Sequence, residues 1–345
     1  MGILNFLFGK KKEAAKPKSN GTPLPPSIEE PTIEWQTSKA HLLLLSRFLY
    51  GQNTNDAIRL DWEDVLGEPT QKALDRFISE GWLVPAPLSA KIAVTFKATE
   101  IKALLKEHKL PVSGRKDQGI ERLVKAVPEE MSLKVAPLDI RECSPEARTI
   151  AEQFVAEREA EKEAAVAKSL EQLHLGDLRG ASLTVAQFEA KQVFPRGLGI
   201  DWTKPNTSRD VQLLKTIFES RPKILTGLAE AEWNPLRVGG AMMYLWGTNK
   251  ASKWLPADFI GTSKFDNDTA IRMVLFHAQH RANVESWRGH GLAIKKVDLL
   301  GSEDSCPACK KLAGKRFTIE KMPELPYEKC THVMGCRCEA LPVIR

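Results

Sequence analysis

Five of the six cysteines crowd into one C-terminal segment, where their spacing is typical of a metal site. They are Cys306, Cys309, Cys330, Cys336 and Cys338. Two thiolates separated by two residues can bind one tetrahedral ion, and a later set of cysteines completes such a site. Thiolate-rich tetrahedral sites favour zinc, and an iron–sulfur cluster is the less favoured alternative. We therefore predict a structural Zn²⁺ ion in this segment.

Zinc needs four ligands, so the five cysteines leave one thiol over. The first two cysteines form the closely spaced pair and are the firmest ligand choices. Cys330 and Cys338 come next, which leaves Cys336 as the spare thiol. His332 could replace one cysteine, and the bland alternative is a set of reduced thiols that binds no metal.

The other common use of clustered cysteines is a disulfide framework, which requires an oxidising compartment. Near the N-terminus, however, the apolar residues precede the lysines at 10–12, the reverse of a secretory signal. The sequence contains no run of about 18 apolar residues, so it does not predict a membrane-spanning helix. We therefore expect a cytoplasmic protein whose clustered cysteines are metal-bound.

A second chemically suggestive segment, residues 94–128, carries eight Lys and Arg against four Asp and Glu. Its apolar residues recur at helical spacing on either side of a tight Ser113–Gly114 turn, and we expect Thr99 and Asp117 to cap the two helices. Basic side chains near this turn could meet phosphates, and the turn amides beside a helix N-terminus would add donors. The predicted DNA contacts are Lys102, Lys106, Ser113, Gly114, Arg115, Lys116 and Arg122.

This segment resembles the SAP module, a helix–extended–helix DNA-binding motif. The matching residues are Thr99-x-Ile101-Lys102-x-x-Leu105, Leu110-Pro111-x-Ser113-Gly114-Arg115-Lys116 and Ile120-x-Arg122-Leu123. The resemblance implies DNA binding through the phosphate backbone with little sequence specificity. One position departs from the family, because Gly119 stands where a leucine is usual. Glycine lowers helix propensity by about 1 kcal/mol, and it removes an expected core side chain.

The cysteine segment resembles the C-terminal part of phage minor head, or head morphogenesis, proteins. The similarity lies in Asp304 before Cys306-Pro307-x-Cys309, in Leu312-x-Gly314-Lys315, and in the closing Cys336-Arg337-Cys338. The phage pattern has a histidine just before Cys-x-Cys, whereas this chain has an additional Cys330 and a longer loop. The resemblance implies a bacterial or prophage protein in which the zinc segment stabilises a protein interface.

The sequence contains little that predicts catalysis. His277 and His280 share one helix face, as their spacing of three requires, and His290 follows. No acidic residue at suitable spacing joins them, and no phosphate-binding loop, dinucleotide glycine pattern or zinc-protease motif occurs. We expect a non-enzymatic DNA-binding or adaptor protein. The alternatives are a phage-derived head assembly protein and a nuclease-like enzyme.

Composition and patterning predict the elements that must position these residues. With 345 residues, 42% apolar and 27% charged, the chain fits two or three soluble domains. Its net charge of +6 is compatible with an anionic partner but does not by itself indicate one. We predict a mainly α fold with a disordered basic, proline-rich stretch over 1–32 and a helical region over 33–130 that includes the SAP-like module. A long charged connecting helix over 139–175, a helical domain over 183–290 that could bind protein partners, and a zinc-binding tail over 291–345 complete the chain.

Individual elements follow from periodicity and from cap residues. Ser144 and Pro145 predict the start of the charged helix. The expected helices are Ala40–Tyr50, one within 67–81, Glu146–Leu173, Leu183–Val193, Val211–Phe218, Gly239–Leu245 and Thr269–Trp287. The expected strands are Lys91–Phe96, Ala293–Leu299 and Arg316–Ile319.

Overall fold

The computed structural model describes residues 34–58, 60–196, 206–248, 250–289 and 294–343. The predicted disordered stretch 1–32 and His290 lie outside these ranges. The described residues are mainly helical, which confirms the predicted fold class. None of the helices in these ranges has the length and apolar character needed to cross a bilayer.

The N-terminal part, residues 34–86, packs four helices against a small sheet. The helices are α1 (Lys39–Ser46), α2 (Thr54–Ala57), α3 (Leu60–Leu66) and α4 (Thr70–Ser79). The strands are β1 (Gln52–Asn53), β2 (Leu83–Pro85) and β3 (Ile140–Cys143), antiparallel in the order β1-β3-β2. Leu44, Phe48 and Phe77 are fully buried in a first apolar cluster. This cluster joins the N-terminal helices to the segment that leads into the charged helix.

A buried polar network ties α1 to α4. His41 is fully buried, and its Nε2 lies 2.8 Å from Glu68 Oε1. The Arg76 guanidinium pairs with the same carboxylate, and Ser38 Oγ lies 2.8 Å from His41 Nδ1. Burial acts to raise the pKa of Glu68, but the hydrogen bonds from His41 and Arg76 outweigh it and lower the pKa below its ordinary value.

The basic segment belongs to a larger helical module with its own apolar cluster. Its helices are α5 (Leu88–Thr95), α6 (Ala98–Glu107), α7 (Lys116–Ala126) and α8 (Pro128–Val135). Ile92 of α5 and Met131 of α8 are fully buried with the apolar residues of α6 and α7. The predicted strand Lys91–Phe96 is therefore wrong. Its β-branched residues suggested an extended chain, but a helix turns Ile92 into the module core, and tertiary packing overrides local propensity.

Helix α9 (Pro145–His174) connects this part of the chain to the C-terminal part. It begins where the sequence predicted, since Ser144 Oγ accepts a hydrogen bond of 3.2 Å from Ala147 N and Pro145 is the first helical residue. Its first turns are buried in the N-terminal apolar cluster through Ala147 and Ala151, and its last turn is buried in the C-terminal one through Leu173. The stretch 152–164 is exposed except for the half-buried Phe154.

The C-terminal part packs α9 and four further helices against a second small sheet. The helices are α10 (Leu178–Glu189), α11 (Thr207–Glu219), α12 (Glu230–Trp246) and α13 (Asn267–Gly289), followed by the short α14 (Pro307–Lys310). The strands β4 (Lys296–Leu300), β5 (Arg316–Thr318) and β6 (Glu339–Pro342) form an antiparallel sheet in the order β5-β4-β6. Each predicted helix is present, and α12 begins nine residues before its predicted start.

Close helix packing fixes the position of α13. A side-chain carbon placed on Gly239 of α12 would lie 2.8 Å from Ile271 Cδ1, and one on Gly240 would lie 3.2 Å from Val274 Cγ1. The two glycines therefore let the backbones of α12 and α13 approach closely. This approach matters for the site because four of the clustered cysteines are buried in the same apolar cluster as these helices.

Candidate metal centre and nucleic-acid interface

The five clustered cysteines come together in space, although up to 32 residues separate them in the chain. Cys306 Sγ lies 3.8 Å from Cys330 Sγ, and Cys309 Sγ lies 4.0 Å from Cys336 Sγ. With zinc–sulfur bonds of about 2.3 Å, the sulfur–sulfur edge of a tetrahedral site is about 3.8 Å. All five are free thiols, so the cluster can bind a metal ion.

Short turns position the two halves of the cluster. Cys306 is the N-cap residue of α14 and Cys309 lies within that helix, so one helical turn presents both thiols. Gly314 and Gly335, with φ of +76° each, reverse the chain after the first cysteine pair and before the last. Strands β4, β5 and β6 are close to these turns in sequence, so both halves of the cluster are attached to the same sheet.

Cationic side chains from α13 and the loop before it hold the cysteine loops from outside. Lys264 Nζ donates a hydrogen bond of 2.8 Å to the carbonyl of Cys330. Arg272 Nη2 donates one of 2.8 Å to the carbonyl of Met334. These positive charges lie close to the loops that carry the cysteines, whose thiolates would be negatively charged. Sequence spacing gave no indication of either residue, because each is more than 60 residues away from its partner in the chain.

The cluster favours thiolates at two positions. Burial acts to raise the pKa of Cys306, but backbone N–H groups such as that of Thr331, at 3.4 Å, lower it to about 6. A hydrogen bond from the Cys338 thiol lowers the pKa of Cys336 to about 6 and raises that of Cys338 itself. Burial raises the pKa of Cys309. Thiolates at these two buried positions make the cluster attractive to a cation.

An ion pair links the two halves across the cluster. Arg337, which lies between two of the cysteines, donates through Nη2 to Asp304 Oδ2 at 2.5 Å. His332 takes part in this outer network, because its Nε2 lies 3.1 Å from Arg337 Nη2 and its Nδ1 accepts from Met334 N. Both ring nitrogens of His332 are therefore engaged outside the cluster, which removes the basis for expecting it to replace a cysteine.

The geometry does not single out one spare thiol, because the Sγ atoms of Cys309, Cys336 and Cys338 lie within 4.8 Å of one another. Cys336 is buried and lies 4.0 Å from Cys309, whereas Cys338 is only half-buried. Spacing along the chain does not separate the last two cysteines, and only the fold buries Cys336 more deeply than Cys338.

In the module, neither helix begins at its predicted cap, Thr99 or Asp117. Helix α6 has Lys97 as its N-cap residue, whose N–H donates to Glu100 Oε2 at 2.5 Å. Helix α7 has Arg115 in that position, whose N–H donates to Gln118 Oε1 at 3.0 Å. In both helices a side chain three residues inside the helix satisfies the N-cap amide, so no hydroxyl or carboxylate is needed at the cap.

Two of the predicted DNA contacts, Arg122 and Lys116, donate hydrogen bonds to backbone carbonyls. Arg122 Nη1 donates hydrogen bonds of 2.7 Å to the carbonyls of Pro111 and Ser113 and so holds the turn between the helices. Lys116 Nζ donates one of 2.6 Å to the carbonyl of Ala93, near the C-terminal end of α5. The sequence showed their charge but not these carbonyls, which only the folded turn brings within reach.

The remaining predicted contacts lie on the module surface. Lys102 and Lys106 are exposed and, one helical turn apart, lie on the same side of α6. Arg115 pairs with Asp117 at 3.0 Å but stays largely exposed, so this pair is weak. Ser113 and Gly114 are exposed next to the N-terminus of α7, and Gly114 has a φ of +102° that favours glycine.

The departure at Gly119 has a packing reason. A side-chain carbon there would lie 2.9 Å from Ile101 Cγ2 and 3.1 Å from Leu105 Cδ1. The absence of a side chain at Gly119 therefore leaves no gap in the module core. Helix α6 approaches α7 closely at this point, and the two apolar residues fill the space that a leucine would need.

Of the two described histidines of α13, His277 is buried and His280 is half-buried. His277 is 2% exposed, and its Nδ1 lies 3.4 Å from the Leu325 carbonyl and 3.7 Å from Glu324 Oε1. Burial, and then the neighbouring His277, lowers the pKa of His280 to about 4. Among the described residues, neither histidine belongs to a group of three potential ligand atoms within 4.8 Å of one another.

Comparison with protein-family models, with curated proteins and with solved structures gives no match for this chain. The resemblances to the SAP module and to phage head proteins therefore rest on the motifs quoted above.

Proposed function

We propose that this is a non-enzymatic DNA-binding or adaptor protein, in which the helical module α5–α8 contacts the phosphate backbone and a zinc centre stabilises the C-terminal part. The DNA proposal rests on one observation: some basic side chains of the module hydrogen-bond to its backbone, and others are left exposed. Arg122 holds the turn between α6 and α7, and Lys116 ties the start of α7 to α5, while Lys102, Lys106 and Arg115 are exposed to solvent. Exposed cations on a rigid support suit phosphate contacts with little base readout.

The zinc part rests on the sulfur–sulfur distances. Edges of 3.8 Å and 4.0 Å agree with the edge of about 3.8 Å of a tetrahedral thiolate site. Sulfur-only ligands exclude the hard ions Mg²⁺ and Ca²⁺, which take oxygen ligands. Metal analysis of protein purified without added zinc should give about one zinc per chain. Protein without bound metal and with freely reactive thiols would contradict this part.

Binding of unrelated DNA duplexes over a range of salt concentrations tests the DNA part. The test variant combines Lys102→Ala, Lys106→Ala and Arg115→Ala. The control combines Lys168→Ala, Lys215→Ala and Lys311→Ala, which removes the same charge from exposed positions outside the module. The test variant should bind all duplexes more weakly, and its salt slope should flatten by up to about three units, about 0.9 for each lost phosphate contact.

The control variant should keep the slope of the wild type. Equal slopes for test and control variants would place the DNA contacts elsewhere on the protein. If the wild type fails to bind at low salt, DNA binding is excluded and the head-assembly alternative takes its place. The zinc measurement is independent of either outcome.

A further inference from the structure

The five thiols form two overlapping triads. The Sγ atoms of Cys306, Cys309 and Cys330 lie within 4.8 Å of one another, and so do those of Cys309, Cys336 and Cys338. Cys309 belongs to both triads. A single tetrahedral zinc ion uses four thiolates and leaves the fifth without a role. Two three-coordinate ions that share one bridging thiolate would use all five.

The donors around both triads are soft. Neither group contains an oxygen or nitrogen ligand, and both ring nitrogens of His332 are engaged elsewhere. A thioether lies beside the second triad, where Met273 Sδ accepts a hydrogen bond of 3.3 Å from Cys336 N. Thiolate and thioether donors suit Cu(I) as well as zinc and iron–sulfur clusters. Cu(I) is a closed-shell ion that is commonly bound by three thiolates, and thiolates readily bridge two such ions.

We propose that this cluster binds two Cu(I) ions, one in each triad, with Cys309 as the bridging ligand. This inference rests on the metal-binding part of the proposed function and adds a second ion and a second metal to it. Each cysteine that is still protonated releases its proton to solvent on binding, and no electron is transferred, because copper enters and stays as Cu(I). Two ions with five thiolates carry a net charge of −3, which Lys264 before α13 and Arg272 on α13 partly offset.

Native mass spectrometry of the full chain tests the proposal. Metal-free protein is titrated anaerobically with Cu(I), supplied as its acetonitrile complex, and a second sample is titrated with Zn²⁺. The wild type should saturate at two copper ions and at one zinc ion. Cys338→Ser removes a thiol from the second triad alone and should lower copper to one ion per chain while zinc stays at one. Retained zinc shows that the variant still folds around the site.

Cys143→Ser is the matched control, since this sixth cysteine is buried in the N-terminal cluster and donates to the Leu45 carbonyl instead. It should still bind two copper ions. Saturation of the wild type at any number other than two, or two copper ions in Cys338→Ser, would overturn the proposal while leaving the zinc centre standing. A wild type that binds neither metal would overturn both.

Discussion

Arg122 Nη1 donates a hydrogen bond of 2.7 Å to the carbonyl oxygen of Ser113, across the turn that joins α6 to α7. The same nitrogen donates to Pro111. The sequence predicts Arg122 as a phosphate contact, and in the structure it supports the turn that the proposal places next to the phosphate. This contact separates the role of Arg122 from that of the exposed lysines, and the two roles give different outcomes on substitution.

Arg122→Ala should loosen the module. The charged hydrogen bonds to two carbonyls contribute about 1.5 kcal/mol, which corresponds to roughly tenfold lower hydrogen-exchange protection. Exchange of the α6 and α7 amides measures this directly. Lys125→Ala, which removes an exposed charge from the same helix, should leave protection unchanged. Equal protection in the wild type and Arg122→Ala would show that the turn does not depend on this contact.

Gly119→Ala should destabilise the module even though alanine is the better helix former. The added carbon would lie 2.9 Å from Ile101 Cγ2, and overpacking of this kind costs about 1 to 3 kcal/mol. Gly289→Ala is the control, because open space surrounds that helical glycine, and it should be neutral or stabilising. Higher hydrogen-exchange protection of α7 in Gly119→Ala would mean that propensity outweighs packing here.

Removal of zinc should loosen the C-terminal part and spare the N-terminal part. Cys306, Cys309, Cys330 and Cys336 are buried in the same apolar cluster as α12 and α13, whereas Phe48 and Phe77 belong to another cluster. Treatment with a chelator should therefore accelerate hydrogen exchange in α13 but not in α1. Equal acceleration in both helices, or in neither, would contradict this separation.

Acid should weaken the attachment of α1 to α4. The folded-state pKa of Glu68 lies below its ordinary value of 4.5, so its ionised form stabilises the fold at neutral pH. This contribution is lost as the pH falls through the folded-state pKa.

Glu68→Gln should remove the same contribution at pH 7 and cost about 2 kcal/mol, since it breaks charged hydrogen bonds to His41 and Arg76. Hydrogen exchange in α1 at pH 7 and near pH 4 measures both effects, with the exposed Glu63→Gln as control. An α1 in Glu68→Gln that is protected as in the wild type at pH 7 would contradict the role of the network.

Local signals in the sequence determined much of the helical architecture. Ser144 and Pro145 mark the start of α9, and both are found where the sequence predicts them, because a cap and a helix-starting proline act through the adjacent backbone alone. The cysteine spacing likewise indicated a metal-binding cluster. The strand prediction for Lys91–Phe96 was wrong because packing outweighs the strand preference of β-branched residues. Here Ile92 is buried in the core of a helical module.

The tertiary structure decided the surroundings of each predicted site residue. Lys102 and Arg122 carry the same charge in the same motif, but only the folded turn places carbonyl groups within 2.7 Å of Arg122 and leaves Lys102 exposed. Cys336 and Cys338 are equivalent in spacing, and the approach of α13 to the loop before them buries the first and leaves the second half-buried. Spacing along a chain determines which groups can meet, whereas burial and hydrogen-bond partners depend on segments far away in sequence, which no local pattern encodes.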